Sequence, residues 1–336
     1  MVTDSTTRTT HREARALWTV GPHRSEIRPA KLPVPGEGEA EVRTLFSGVS
    51  RGTEMLVLRG LVPPEVAGLM RAPFQEGDFP YPVKYGYLSV GIVEKGPSSW
   101  VGQRVFCLHP HQDRYVVPVT ALTRIPRDVP DARAVLAGTV ETAINALWAC
   151  APHHGDRIAV VGAGIIGSAI AALLSRFPLQ RLQLVDPDPA KHTLALQLGM
   201  EWAHPDDAMT NCDIVYHASA TPEGLAGSLA QLGEEGDLVE LSWYGTDSPT
   251  APLGLAFHAK RLTIIGSQVG TIAASRRARR THADRMDLVM RALADPIFDH
   301  LLGSTSSFED LASVLIEMDE GQLPGMLRLI RYPGVS

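Results

Sequence analysis

The stretch RIAVVGAGIIGSAIAALLSRFPLQRLQLVD, residues 157–186, decides how the chain is read. It opens on a short apolar run, 158–161, suited to a strand buried on both faces. Gly162, Gly164 and Gly167 follow in G-x-G-x-x-G spacing. An Ala/Leu/Ile-rich run of helical period comes next, then a second apolar run, 182–185, ending on Asp186. Each glycine has a physical task here: the first permits a tight turn, the second lets backbone approach a pyrophosphate, and the third lets the helix pack on the strand. The free N–H groups at the helix start then face the phosphates. Asp186 stands where a carboxylate accepts a hydrogen bond from a ribose 2′-hydroxyl, and it would repel the extra phosphate of NADP(H). The stretch predicts a dinucleotide site with NAD preferred. Lys191 is the nearby cation that argues for NADP.

Composition bounds what surrounds this unit. The 336 residues suit two domains, each large enough to bury a core. A formal net charge of −6 argues against nucleic acid or an acidic membrane surface as partner. The one basic run, Arg276, Arg277, Arg279 and Arg280, lacks interleaved aromatics. It reads first as a solvated helix face and second as a contact for cofactor phosphate or an anionic substrate. Cys107, Cys150 and Cys212 are too scattered for a disulfide framework or a four-cysteine zinc lobe. The start of the chain lacks the apolar run of a signal peptide, and no stretch is long enough to span a bilayer. A soluble, cytoplasmic protein is expected.

Along the chain, residues 1–13 are polar and expected to fray. Strands are expected at 14–20, 39–46, 85–95, 104–108 and 114–117, with a Pro/Gly-rich turn region at 29–38. SGVSRGTE, 47–54, reads as a loop suited to a pocket wall. The proline-rich segment 59–82 reads either as a lid or as a surface insertion. From 131 the pattern becomes α/β. A helix is expected over 132–148, then the dinucleotide unit, then strands at 213–217, 237–242 and 261–265, with helices at 189–198 and 222–232. Helices at 281–293 and 308–318 and a strand at 326–330 follow, as a tail that can return to the β-rich domain.

This order, together with SGVS at 47–50, GYLSVGIVEKG at 86–96 and GSQVG at 266–270, resembles the medium-chain dehydrogenase/reductase superfamily of zinc alcohol dehydrogenases and quinone reductases. SRGTE (50–54), KYGY (84–87), FCLHPHQ (106–112) and VETAINALW (140–148) are similar to the branch containing the bacteriochlorophyllide hydroxyethyl dehydrogenases. The resemblance spans nearly the whole chain. It implies a GroES-like β-rich catalytic domain, 1–130 with 271–336, and a Rossmann domain, 131–270. It places the cofactor against Gly162, Gly164, Ile165, Ile166, Gly167, Asp186, Ser219, Trp243, Ser267 and Gly270, and it implies a homodimer joined along the Rossmann sheet edge near 256–265. The zinc-ligand positions of the family fall on Ser50, Tyr87 and Ala137, which make no zinc site. An enzyme without zinc is therefore expected. Cys107, His109, His111 and Asp113 would share one face of a strand and form an alternative metal set, which Pro110 interrupts.

Without a metal, protein groups must polarise the carbonyl and exchange the alcohol proton. The candidates are Ser50, Arg51, Glu54, Tyr87, His109 and Glu141, with Tyr87 or His109 as acid/base and Glu141 as helper. Each has a plainer reading: Ser50 as filler, Tyr87 as packing, Glu141 as a structural helix residue, and Arg51 with Glu54 as a mutual pair. His217 reads as an adenosine contact or as buried and satisfied. The leading functional expectation is NAD(H)-dependent interconversion of a secondary alcohol and a carbonyl on a bulky small-molecule substrate, in biosynthetic or specialised metabolism. The alternatives are an enoyl- or quinone-type reductase, a cyclase or lyase using NAD as an internal redox aid, and a non-catalytic nucleotide-binding protein.

Overall fold

The structure, a computed structural model, describes residues 12–323 and 325–334; the expected frayed end before residue 12 lies outside the described residues. The dinucleotide unit forms as its pattern requires. Strand Arg157–Val161 leads into helix Ile165–Leu174, and strand Arg181–Val185 follows. Ile158 and Val160 face one apolar core, with helices Ala137–Ala149 and Ile165–Leu174. Ala159 and Val161 face a second core, with Leu225 and Leu229 of helix Pro222–Gln231. A strand covered on both faces needs apolar residues at consecutive positions, which is why this run does not alternate. Each such side chain contributes about 1.5–3 kcal/mol on burial.

Six parallel strands lie side by side in the order Glu201–Ala203, Arg181–Val185, Arg157–Val161, Cys212–His217, Leu232–Glu240 and Thr263–Gly266. Numbered along the chain this is 3-2-1-4-5-6, so the winding direction reverses beside Arg157–Val161. Ligands of such sheets bind at that reversal, outside the carboxyl ends of the strands.

The β-rich part is built on the long strand Glu39–Val49. It pairs antiparallel with Ser89–Lys95, Arg114–Pro118 and Leu327–Arg331. The strand Leu302–Ser307 pairs with Leu327–Arg331, so the tail does return to this sheet. Helix His282–Ala292, which precedes it, instead packs its Met286, Val289 and Met290 into the core shared with Ala137–Ala149 and Ile165–Leu174.

Three local expectations are corrected. Strand Arg24–Leu32 occupies the start of the expected turn region, pairing with Arg12–Gly21 in unbroken register from Arg12 to Thr19 despite Pro29. The stretch after Ser50 is a helix, Arg51–Arg59. Gly52 and Thr53 are weak helix formers, but Glu54 folds back to accept the Ser50 N–H at 2.7 Å, and Gly60 closes the far end in the left-handed conformation at φ 73°. The helix expected over 132–148 is divided into Asp131–Ala134 and Ala137–Ala149. Among the described residues no helix is long and apolar enough to cross a membrane.

Candidate functional site

The glycine turn is shaped by contacts that only glycine permits. Gly162 takes φ 100°, and a Cβ there would meet the Ser219 backbone N at 2.7 Å. A Cβ on Gly167 would meet the Gly162 carbonyl at 1.9 Å. At Gly164 a Cβ would meet nothing within 4 Å, so the helix start opens onto free space. Room above a helix N-terminus beside the sheet reversal fits a dinucleotide pyrophosphate. Ile165 and Ile166 form the first turn and are half-buried. Asp186 accepts N–H groups from Ala163 at 2.7 Å and Asp188 at 2.9 Å, so it braces the turn.

The wall opposite is assembled from distant parts of the chain. Helix Arg51–Arg59 brings Ser50 and Thr53 towards the Tyr87 hydroxyl, with Glu54 just behind. Burial, then the Glu54 charge, pushes the Tyr87 phenol up to about 12, against hydrogen bonding from Ser50 and Thr53. At neutral pH Tyr87 is therefore a hydrogen-bond donor, not a base. Tyr85 meets its ring edge-on, with centroids 6.0 Å apart. Trp243, from the loop after strand Leu232–Glu240, packs on the same apolar group and so ties that loop to the β-rich half.

The remaining candidates fall in different places. Glu54 does not pair with Arg51; its Oε2 lies 2.9 Å from His111 Nε2, and His111 Nδ1 lies 2.7 Å from Ser47 Oγ, all buried. Arg51 donates to the Leu323 carbonyl, and burial, aided by Arg328, lowers its pKa. His109 is stacked on Tyr115, with ring centroids 3.7 Å apart, and on Phe74, with its Nδ1 2.9 Å from the Pro110 carbonyl. Burial, then the Lys84 charge, holds its pKa down to about 3, so the ring is neutral. This is a packing arrangement, and no hydrogen bond ties His109 to the Tyr87 cluster.

Glu141 is buried against Arg285, whose Nε and Nη2 reach Oε1 at 3.1 and 2.8 Å. Burial raises the Glu141 pKa, with Arg285 opposing. Arg285 also donates to Asn145 Oδ1 at 2.6 Å and to the Val269 carbonyl at 2.7 Å. Asn145 Nδ2 in turn reaches the Gln268 and Thr271 carbonyls, each at 3.2 Å. The network holds the loop carrying Ser267 and Gly270 against helix Ala137–Ala149. Sequence reasoning missed Arg285 and Asn145. The i, i+4 spacing of Glu141 and Asn145 was the available signal; nothing local marks Arg285.

On the other side of the glycine turn, His217 is fully buried. Its Nδ1 lies 2.7 Å from Glu240 Oε2 and its Nε2 lies 2.6 Å from Ser219 Oγ. The expectation of a buried, satisfied histidine describes this residue, with Ser219 and Glu240 as partners that the sequence did not name.

The family's zinc does not fit these residues. Ser50, Tyr87 and Ala137 offer no thiolate or imidazole. The alternative set does not converge either. Cys107 lies beside Tyr115, His109 is stacked, His111 is held by Glu54 and Ser47, and Asp113 accepts from the Arg15 backbone at 2.7 Å.

No protein-family model matches the chain. It is 27% identical over 265 residues to the 2-desacetyl-2-hydroxyethyl bacteriochlorophyllide A dehydrogenase of Rhodobacter capsulatus, covering 73% of this chain and 77% of that one. Among solved structures, L-idonate 5-dehydrogenase of Escherichia coli K-12 superposes with a TM-score of 0.78 at 13% identity, over 96% of this chain and 99% of the other. An alcohol dehydrogenase of Escherichia coli CFT073 complexed with NADH superposes with a TM-score of 0.75 at 18% identity, over 95% and 99%. The chain is thus similar in sequence to a bacteriochlorophyllide dehydrogenase and shares the fold of the alcohol dehydrogenase-like medium-chain dehydrogenases/reductases, with a GroES-like and a Rossmann domain.

Proposed function

We propose that the protein is a zinc-independent dehydrogenase that interconverts a secondary alcohol and its carbonyl with NAD(H), on a bulky substrate of biosynthetic metabolism. One observation carries the reading: Trp243, just past a strand of the sheet that bears the glycine turn, packs on the aromatic group that holds the neutral Tyr87 phenol beside Ser50 and Thr53. The nicotinamide, when bound, supplies the hydride chemistry. The chain's part is to hold the substrate oxygen. In reduction the neutral Tyr87 phenol donates a hydrogen bond to the carbonyl oxygen and then its proton to the alkoxide formed there, and in oxidation the alcohol proton returns to the phenolate by the reverse path. Ser50 and Thr53 orient that phenol, and Glu54 keeps the local potential negative, which favours the protonated donor. Asp186 supports NAD over NADP by like-charge repulsion of a 2′-phosphate. The Rhodobacter relative, named for a hydroxyethyl bacteriochlorophyllide, supports an alcohol on a large ring as substrate. The exposed edge strand Thr263–Gly266, paired on one side only among the described residues, supports pairing with a second copy.

The test combines metal analysis of the purified protein with NAD+ turnover on a panel of secondary alcohols. Expected are no stoichiometric zinc, net NADH formation, and a loss of roughly 10²–10⁴-fold in turnover for Tyr87→Phe with NADH affinity unchanged. One tightly bound zinc per chain overturns the metal-free reading, and undiminished turnover in Tyr87→Phe removes that residue from it.

A further inference from the structure

We propose that Ser219, His217 and Glu240 form a second reactive centre, a nucleophilic serine that accepts acyl groups from small activated esters. Its chemistry does not use the dehydrogenase reaction, and only the expected protection by NADH rests on the nucleotide site proposed above. A serine becomes a nucleophile when a base within hydrogen-bond reach takes its proton and a third group orients that base. Here Ser219 Oγ lies 2.6 Å from His217 Nε2, and His217 Nδ1 lies 2.7 Å from Glu240 Oε2.

The surrounding groups set the polarity of this chain. Thr221 N–H points at Ser219 Oγ from 3.3 Å, and the Thr221 hydroxyl lies 3.0 Å away, itself accepting the Gly224 N–H. The Glu240 carboxylate can only accept, so the neutral imidazole keeps its hydrogen on Nδ1, and the serine's own proton turns to His217 Nε2. Glu240 is built to stay ionised. Burial alone would raise its pKa, but His217 and the Ser242 N–H, which donates to Oε1 at 2.7 Å, bring the net shift downward.

Placement agrees with this chemistry. His217 closes strand Cys212–His217, Ser219 follows it, and Ala220 turns the chain at φ 54° into helix Pro222–Gln231. A tight strand-to-helix turn of this kind exposes a nucleophile above the sheet, at the positive end of a helix. His217 is fully buried and Ser219 is half-exposed, with its Oγ beside Gly224 in the first turn of the helix, so the base is shielded and the nucleophile stands at the surface end of the pair. The step balances. Ser219 Oγ bonds to the ester carbonyl carbon, its proton passes to His217 Nε2, the C–O bond to the leaving alcohol breaks, and that alcohol leaves with the proton. Water then attacks the acyl-serine by the reverse proton path, giving the acid and free Ser219. Because the Ser219 backbone stands against Gly162, a nucleotide in the crevice covers the serine.

The test treats the purified full chain with an alkyl fluorophosphonate, locates the label by peptide mass spectrometry, and follows p-nitrophenyl acetate hydrolysis in parallel. The fluorophosphonate forms a P–O bond to Ser219 as the P–F bond breaks. Expected are labelling of Ser219, at least tenfold slower in saturating NADH; loss of label and hydrolysis in Ser219→Ala; and roughly 10²–10⁴-fold slower labelling in His217→Gln. Glu240→Gln provides the same comparison with the buried imidazole intact, and each variant is checked for a cooperative melt. Absent labelling in the folded wild type, label on another serine, or wild-type rates in the folded His217→Gln or Glu240→Gln protein overturns the proposal.

Discussion

The two walls of the crevice are built on different principles. The glycine turn comes from residues 162–167 and Asp186, close in sequence, and its steric fit is set by backbone against backbone, with only the Ala218–Ser219 backbone brought in from farther along the chain. The opposite wall joins Tyr87, the Ser50–Glu54 turn, His111 and Trp243, and the loop above it is held by Arg285 reaching across 144 positions to Glu141. A local wall can lose binding without losing the fold. An assembled wall cannot be opened without destabilising what assembles it.

The largest expected effect tests the assembled side. Arg285→Met leaves a buried Glu141 carboxylate, Asn145 and the Val269 carbonyl without their shared partner. Unfolding in urea should show a loss of about 3–5 kcal/mol, and adding Glu141→Gln should recover a substantial part. A loss below 1 kcal/mol () in the single variant would place the pair among weak surface bridges and break the comparison.

Gly164→Val tests the local side. Its side chain enters free space and not the fold, so the melting temperature should shift little, in keeping with a helix-cap change of about 1 kcal/mol. NADH affinity should fall at least tenfold, about 1.4 kcal/mol. Unaltered NADH binding in titration calorimetry would mean that the space above Gly164 is not where the pyrophosphate lies.

The smallest effect is a pH dependence from His109 in the β-rich wall. Its folded pKa of about 3 lies below the ordinary histidine value of 6.5. Below 6.5 the unfolded chain takes up a proton that the folded chain refuses, so stability falls from about pH 6.5 down to about 3. Between pH 6 and 5 this amounts to about 1 kcal/mol. His109→Phe keeps an aromatic ring in the stack and should flatten that part of the urea-derived stability curve. An unchanged slope would show that His109 is not neutral in the fold.

The legible part of the fold was the part governed by short-range rules. Residues 157–186 became strand, turn, helix and strand as read, because apolar runs and glycine spacing act over a few residues. Where local signals were weak, the reading missed. Helix Arg51–Arg59 depends on Glu54 folding back onto Ser50, and strand Arg24–Leu32 depends on pairing with Arg12–Gly21. Tertiary context overrode propensity in both.

For the site, sequence alone determined the glycine turn and the absence of zinc-binding side chains at Ser50, Tyr87 and Ala137, since each follows from residue type and spacing. Tertiary structure alone decided the partners: Glu54 with His111 and not Arg51, Glu141 with Arg285, His109 in a stack, and Ser219 on His217 and Glu240. Such pairs are chosen by which buried polar groups the packed backbone leaves within hydrogen-bond reach, because an unpaired buried charge or hydroxyl costs more than most contacts return. That selection is made in space and leaves no periodic trace along the chain.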